Sequence, residues 1–375
     1  MLKNLYGEKR TPRTQDELNA ILSAHEKYAK FMGGARAQLA HASLDGLNLA
    51  NRNLPEADFS GASLVGANLY GSNLERASLY CADLRECDLQ SAKLTRADLR
   101  GASFKGAKLS FAVLDRADLR AAMMMYVGPG GVSLVDRERQ NAEGRVDFSN
   151  CSLKGASFGN AKLDGADFTG ALLQGANFKN AKLANVTFRD AVLTGVNLKD
   201  IDAPAEAFAG SIADISPQAA KRFGELKAEL DAHQLWLSSG GDRGAPANFD
   251  GEDLRPLQKL FVGRSLGGIS ARKAICIGVD FTGARLHAAK FDGADLRDAD
   301  FSNADLRGAS FRGAKLAHAK FEKTNLASLP LASGARLSVD LSDAAATADQ
   351  FHRATLESDL AALGLVVAGS AQGSR

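Results

Sequence analysis

The chain has 375 residues, of which 45% are apolar, and its 46 Lys and Arg nearly balance its 44 Asp and Glu. The formal charge of +2 gives no whole-chain field that favours nucleic acid or an acidic membrane as a partner. The first residues, MLKNLYGEKRTPR, lack the apolar core of a signal peptide, and no apolar run reaches the length of a membrane span. We therefore expect a cytoplasmic protein with no membrane partner.

The first predicted element is a helix within residues 1–36. Thr14-Gln15-Asp16-Glu17 has the pattern of a capping box, and the segment closes at Gly33-Gly34. We predict that this amphipathic helix caps the end of the structure that follows it, because repeat structures with open ends require caps. The alternative interpretation is a helix that docks a partner.

A large apolar residue then recurs at every fifth position over 37–125. In ADLRGASFKGAKL these residues are Leu99, Phe104 and Leu109, and a small residue, mostly Ala, lies two positions before each. Neither a helix nor a strand places every fifth side chain on one face. A backbone that turns once per pentapeptide does so. Four such sides would form one coil, and coils would be stable only when stacked.

The pattern is interrupted at 126–145 and resumes over 146–200. The interruption is rich in glycine and charge, and we predict that it projects as a loop, which either binds a partner or is an inert insertion. In the second run Phe and Leu alternate from Phe148 to Leu193, with Phe168 as a central member. Since sides recur every fourth pentapeptide, the alternation predicts Phe on two opposite sides of the coil and Leu on the other two.

Residues 201–244 hold a linker and a second predicted helix that begins near Ser216-Pro217. Its sequence ELKAELDAHQLWLSSGG (225–241) aligns with ELNAILSAHEKYAKFMGG (17–34), which places His25 and His233 at equivalent positions of the helix interface. The match predicts a duplicated module, helix then repeats, with the chain divided near 200–205. Repeats are degenerate over 245–280 and regular over 281–331, where Phe301 is a predicted core residue. For 332–375 we predict a helix or tail that caps the end or joins two subunits as a homodimer.

The repeat resembles the pentapeptide-repeat proteins, most clearly in GADLRDADFSNADLRGASFRGAKL. The resemblance implies an all-β solenoid, a right-handed quadrilateral β-helix of pentapeptide repeats, here with capping α-helices. The motif builds the core and implies little about function. Certain quinolone-protection members engage DNA gyrase through a projecting loop and a strongly acidic rod that imitates DNA. Here 37–125 carries ten acidic and ten basic residues, which argues against such mimicry.

Arginines that recur at every fourth pentapeptide should stack in columns at the corners of the coil. They comprise Arg76, Arg96 and Arg116 in one column, and Arg100 and Arg120, with Tyr80 one coil below, in the next. Like charges about 5 Å apart repel unless they are neutralised. One interpretation is that Asp98 and Asp118 neutralise them. The other is a ridge that binds an acidic partner or a phosphate backbone.

No catalytic, cofactor-binding or metal-binding constellation is found in the sequence. The histidines and cysteines lack metal-site spacing, and Cys87 and Cys151 occupy the small inward position of the repeat. GPGG at 128–131 lacks the Lys-Ser/Thr of a phosphate loop. We expect a non-enzymatic scaffold that binds an unidentified protein through its rigid surface, with direct nucleic-acid binding disfavoured. The alternative implied by the resemblance is a regulator or protector of a type II topoisomerase.

Overall fold

The structure, a computed structural model, describes residues 11–121, 124–128, 131–135 and 145–365. It divides into two compact units, Met1–Asp214 and Ile215–Arg375. The division predicted near 200–205 is therefore about ten residues early. The residues at 201–212 still belong to unit 1, in which Ile212 pairs with Val192 of the preceding coil.

Unit 1 is built from five-residue sides stacked into coils of four sides. Parallel bridges join equivalent positions of successive coils, as in the series Asp58, Ser78 and Asp98. Each side contributes one outward bridging residue, and the next residue points inward as a buried Leu or Phe. The side then ends at a residue with positive φ, such as Gly66 at 66°, where a glycine avoids steric strain. The register of four pentapeptides per coil, predicted from the spacing, is confirmed.

Two columns of phenylalanine fill the second run of unit 1. Phe168 stacks between Phe148 and Phe188, with ring centroids 5.0 and 5.2 Å apart. In the opposite column Phe158 and Phe178 stack at 4.8 Å. Rings of the two columns meet edge to face at 5.6–6.1 Å, a favourable geometry for aromatic pairs. The predicted placement of Phe on two opposite sides is confirmed.

A hairpin interrupts the coils of unit 1. It consists of β3 (Met124–Gly128) and β4 (Gly131–Val135), paired antiparallel. The regular run therefore ends before 125, because Met124 already belongs to the hairpin. The rest of the predicted loop, 129–130 and 136–144, lies outside the described residues. Its projection from the coil stays a prediction.

This interruption changes the surroundings of Phe104, which we predicted to be a core residue. Its ring lies 6.2 Å from Phe148 but is only partly buried, in contrast with Leu99 and Leu109. Within the described ranges, Ser103 bridges to the coil below and to no residue above. Phe104 is therefore covered less completely than its neighbours by the residues that the structure describes.

Unit 2 repeats the coil with two insertions. The first bridges, such as Asn248 to Ser270, enclose two residues more than a regular coil, and the short 3-10 helix Arg255–Leu257 lies within this stretch. The degenerate segment 245–280 thus forms coils. A ten-residue insertion holds β5 (Leu329–Pro330) and β6 (Arg336–Leu337), a short hairpin. Bridges across this insertion, such as Ser310 to Asp340, enclose six pentapeptides instead of four.

The C-terminal helix predicted within 332–375 is wrong for the residues that the structure describes there. Up to residue 365 the only helical element is the 3-10 turn Ala348–Phe351. The chain instead adds further sides to the coil, and Phe351 stacks on Phe321 with centroids 4.5 Å apart. Phe351 and Leu356 are five residues apart, which is the spacing of the coil.

Helices precede the coils in both units. The first described elements of unit 1 are β1 (Thr11–Pro12), paired in parallel with β2 (Ala42–Ser43), and α1 (Gln15–Ala29), whose predicted capping box at Thr14 is present. Unit 2 begins with α2 (Pro217–Lys221), capped by Ser216 as predicted, and α3 (Phe223–Ser238).

Helix α1 docks onto the coils of unit 1 and helix α3 docks onto the coils of unit 2, and the two sets of contacts match. The Nδ1 atoms of His25 and His233 accept hydrogen bonds from the amides of Ala37 and Ala247, the first residues of each coil, at 2.9 and 3.1 Å. Arg52 binds Ser23 and Glu26 of α1, and Arg264 binds Asp231 and Gln234, which are the equivalent positions of α3. These paired contacts support the duplicated module.

Candidate partner-binding column

Arg76, Arg96 and Arg116 lie one above another at a single corner of unit 1, and we call them the arginine column. Their φ angles are 56°, 58° and 60°. They are the only arginines with positive φ among the residues that the structure describes. Each amide donates to a carbonyl of the next coil, at 3.0, 2.9 and 2.8 Å, so the backbone ladder fixes their spacing at about 4.8 Å.

The neighbouring column is internally neutralised. Arg100 binds Asp98 through two parallel hydrogen bonds of 2.8 and 2.7 Å, and Arg120 binds Asp118 in the same way at 2.9 and 2.7 Å. Burial of the Asp118 carboxyl raises its pKa, but the hydrogen bonds and charge of Arg120 outweigh burial and leave that pKa lowered. The guanidinium of Arg100 also lies 5.4 Å from the ring centre of Tyr80, a cation–π contact.

The prediction that Asp98 and Asp118 neutralise the arginine column is therefore wrong. Both carboxylates turn to the arginine two residues after them. Residues two apart on one side of the coil point the same way, whereas Arg96 lies at the corner that ends the preceding side. Arg76 has its own acidic neighbours, Glu56 and Glu75, at 3.7 and 3.8 Å.

Arg96 and Arg116 differ from all these arginines. Their side chains form no hydrogen bond or ion pair with any described residue. Both line a surface groove of about 510 Å³. The groove is lined by Glu75, Thr95, Arg96, Asp115, Arg116 and Lys154. It carries three cationic and two anionic side chains.

Asp115 is already engaged on its own side of the groove. Its carboxylate accepts hydrogen bonds from the Ser152 hydroxyl at 2.5 Å and the Lys154 amide at 3.1 Å. The Lys154 ammonium lies 3.6 Å from the same carboxylate. Because Asp115 is held in this way, it does not pair with the guanidinium of Arg96 or Arg116. The arrangement can attract and hold an anion.

A recurring triplet explains why six of the arginines are unavailable to a ligand. The triplet Asp-Leu-Arg occurs six times, and in each the Arg closes onto the Asp two residues earlier. Arg297 of one triplet is almost completely buried while paired with Asp295. The triplet is visible in the sequence and could have separated paired arginines from the arginine column.

The described residues contain no cluster of three or more groups able to hold a metal ion, and no described helix is long and apolar enough to cross a membrane. Cys87 and Cys151 are buried, and their thiols donate to backbone carbonyls at 2.7 and 2.8 Å. Burial raises the pKa of Cys87 to about 12 and also raises the pKa of Cys151. These thiols are inward fillers, as predicted, and not nucleophiles.

Solved structures with similar repeats give weak overall superpositions. A pentapeptide repeat protein from the thylakoid lumen of Arabidopsis thaliana is 29% identical over 34% of this chain and 65% of that chain, with a TM-score of 0.21. HetL from the cyanobacterium Nostoc, described as involved in regulation of heterocyst differentiation, is 21% identical over 85% and 91%, with a TM-score of 0.20. QnrB1, a plasmid-mediated fluoroquinolone resistance protein, is 23% identical over 49% and 91%, with a TM-score of 0.21. Such low TM-scores say nothing about function.

Comparison with curated proteins gives no match. Comparison with models of protein families gives two matches. The model of pentapeptide repeats, which finds eight copies in all, matches over the five ranges 35–62, 42–79, 82–120, 265–298 and 289–327, and the model of a pentapeptide repeat region matches at 144–214. Because these matches together cover more than half of the sequence, the chain belongs to the pentapeptide-repeat family.

Proposed function

We propose that this protein is a non-catalytic cytoplasmic scaffold that binds another protein at the arginine column. Its coil is taken to be the right-handed quadrilateral β-helix that family resemblance implies. The observation that carries the proposal is the pair Arg96 and Arg116, two guanidiniums on adjacent coils that have no partner among the described residues and share a groove.

The surroundings of Arg96 and Arg116 favour binding of a partner over catalysis of a reaction. Each arginine stands on a backbone whose amide is locked to the next coil, so little backbone freedom is lost when a partner binds. Arginine is also enriched among residues that dominate the energy of protein interfaces. The groove lacks a nucleophile–base pair that could perform a reaction. An acidic segment of a partner is the complementary surface.

The alternative function, regulation or protection of a type II topoisomerase, would involve a partner of another kind. The candidate groove is net cationic, whereas imitation of DNA requires a continuous acidic surface. No observation on the described residues favours this alternative, and it enters the test below as an outcome.

The test is affinity capture with three full-length baits. They are the wild type, the double variant Arg96→Glu/Arg116→Glu, and the matched double variant Lys179→Glu/Arg189→Glu, which changes the charge equally at other exposed corners of unit 1. We expect a partner that the wild type and the matched variant retain and the column variant loses at least tenfold. Equal retention by all three baits, or equal loss in both variants, would refute the proposal. A captured gyrase subunit would favour the alternative.

A further inference from the structure

We infer that the groove between Arg96 and Arg116 is a binding site for a phosphoryl dianion. The inference rests on the proposed function, because it names the chemical group that this surface recognises. A free phosphate and a phosphorylated side chain of a partner present the same group, and the experiment below distinguishes these two sources.

The first argument is the number and spacing of donors. Each guanidinium presents five N–H donors in a planar fork that suits carboxylate and phosphate oxygens. Arg96 and Arg116 stand on adjacent coils, about 4.8 Å apart along the ladder, so both forks can reach one group between them. A carboxylate has one charge and two oxygens, which a single arginine satisfies. A phosphoryl dianion has three oxygens and about two charges, which match two arginines.

The second argument is that neighbouring carboxylates are already occupied. Asp115 is engaged by Ser152 and Lys154, and Glu75 has Arg76 beside it at 3.8 Å. Lys154 adds a third cationic group to the groove lining. The two guanidiniums therefore keep their charge and their donors for a ligand.

The third argument is that arginine is confined to the lower coils at this corner. The same corner position in later coils is Gly155, Gly175 and Gly195, all with positive φ. A glycine adopts that conformation without strain, whereas a large side chain does not. Glycine begins at the coil directly above Arg116, where Gly155 faces the arginine stem. Two unpaired like charges on adjacent coils are understandable if an anion neutralises them.

The fourth argument limits the size of the anion. The unpaired guanidiniums occupy only two successive coils, because Arg76 has acidic neighbours and the column ends at Gly155. A polyanion such as nucleic acid would require a longer cationic track. The site therefore suits one phosphoryl group.

The experiment measures fluorescence polarisation of labelled peptides with the full-length protein at pH 7.5. Three peptides share a Gly-rich sequence and differ at one position, which is phosphoserine, serine or glutamate. We expect the phosphoserine peptide to bind at least tenfold more tightly than the other two. Phenyl phosphate should displace it and dimethyl phosphate, which has one charge, should not. Displacement by inorganic phosphate at an equal concentration assigns the site to free phosphate, and a tenfold preference for the peptide assigns it to a phosphorylated side chain.

Variants then locate the site. Arg96→Gln and Arg116→Gln should each weaken phosphopeptide binding at least tenfold, whereas Arg76→Gln, in the same column but paired, should change it less than twofold. Equal binding of the phosphoserine and glutamate peptides, no binding at all, or an equal effect of Arg76→Gln would overturn the inference. If capture still depends on Arg96 and Arg116 while no phosphopeptide binds, the scaffold proposal stands and the phosphoryl site does not.

Discussion

Acidification should release the helix α3 from the coils of unit 2 before those coils unfold, because His233 must be neutral to hold it. The His233 side chain is fully buried, and its Nδ1 accepts the Ala247 amide. A protonated imidazole has no acceptor nitrogen, so protonation breaks this bond and leaves the amide without a partner. The contact between His25 and Ala37 repeats the arrangement in unit 1.

The direction and size of the effect follow from burial. Burial lowers the pKa of His233 below the usual value near 6.5, and an opposing interaction with the Gly267 backbone offsets this only partly. Because the pKa is lower in the folded state, the stabilisation is complete above about pH 6.5. This stabilisation is lost as the pH falls from about 6.5 through the lowered pKa of His233. A buried hydrogen bond lost with its donor left unpaired costs about 1–3 kcal/mol, which lowers the docking equilibrium about 5- to 150-fold.

His25 has charged neighbours that His233 lacks. Burial again lowers the pKa most, and Arg36 lowers it further, whereas the Pro55 backbone, Glu26 and Glu56 raise it. We expect the same direction of response for α1, with a different midpoint.

The only tryptophan of the chain reports on α3 directly. The ring of Trp236 lies 5.7 Å from that of His233. On titration of the full-length protein from pH 8 to pH 5, Trp emission should change below about pH 6.5 while circular dichroism of the coils changes little. His233→Gln should remove the transition, and His25→Gln and the exposed-site control His352→Gln should leave it in place. An identical transition in His233→Gln, or none in the wild type, would refute the reasoning.

The remaining predictions concern the core and the caps. Phe168→Ala should cost about 3–5 kcal/mol of unfolding free energy in urea, because it leaves a cavity within the stacked column, and the partly exposed Phe104→Ala should cost clearly less. Gly34→Ala should lower the melting temperature well below that of Gly33→Ala; both positions have positive φ, but only at Gly34 would the new methyl group overlap a carbonyl oxygen of α1. Cys87, with its pKa raised to about 12 by burial, should resist a thiol reagent at pH 8 in the folded protein and react after unfolding.

The repeat made the core predictable, because spacing alone determines which residues face inward. The positions of Leu99, Phe168 and Phe301 inside the coil followed from the period of five, and all three are buried. The exposed side of Phe104 did not follow, since it depends on a neighbouring coil that is interrupted. The hairpin at Leu329–Pro330 and Arg336–Leu337 was missed because a ten-residue insertion keeps the phase of five. The tail was mistaken for a helix because Leu360 and Leu363 also fit a helical spacing.

The arginines show where sequence spacing stops being sufficient. A spacing of four pentapeptides correctly placed Arg96 and Arg116 in one column, and Arg100 and Arg120 in the next. It did not determine which column the intervening carboxylates would neutralise, because Asp98 is two residues from both Arg96 and Arg100. The position of each arginine relative to the corner of the coil determines which arginine the carboxylate reaches. Arg100 shares a side of the coil with Asp98 and points the same way, whereas the positive φ of Arg96 directs its side chain off the corner. The same residue type at the same sequence distance is therefore part of the scaffold in one column and available to a ligand in the other.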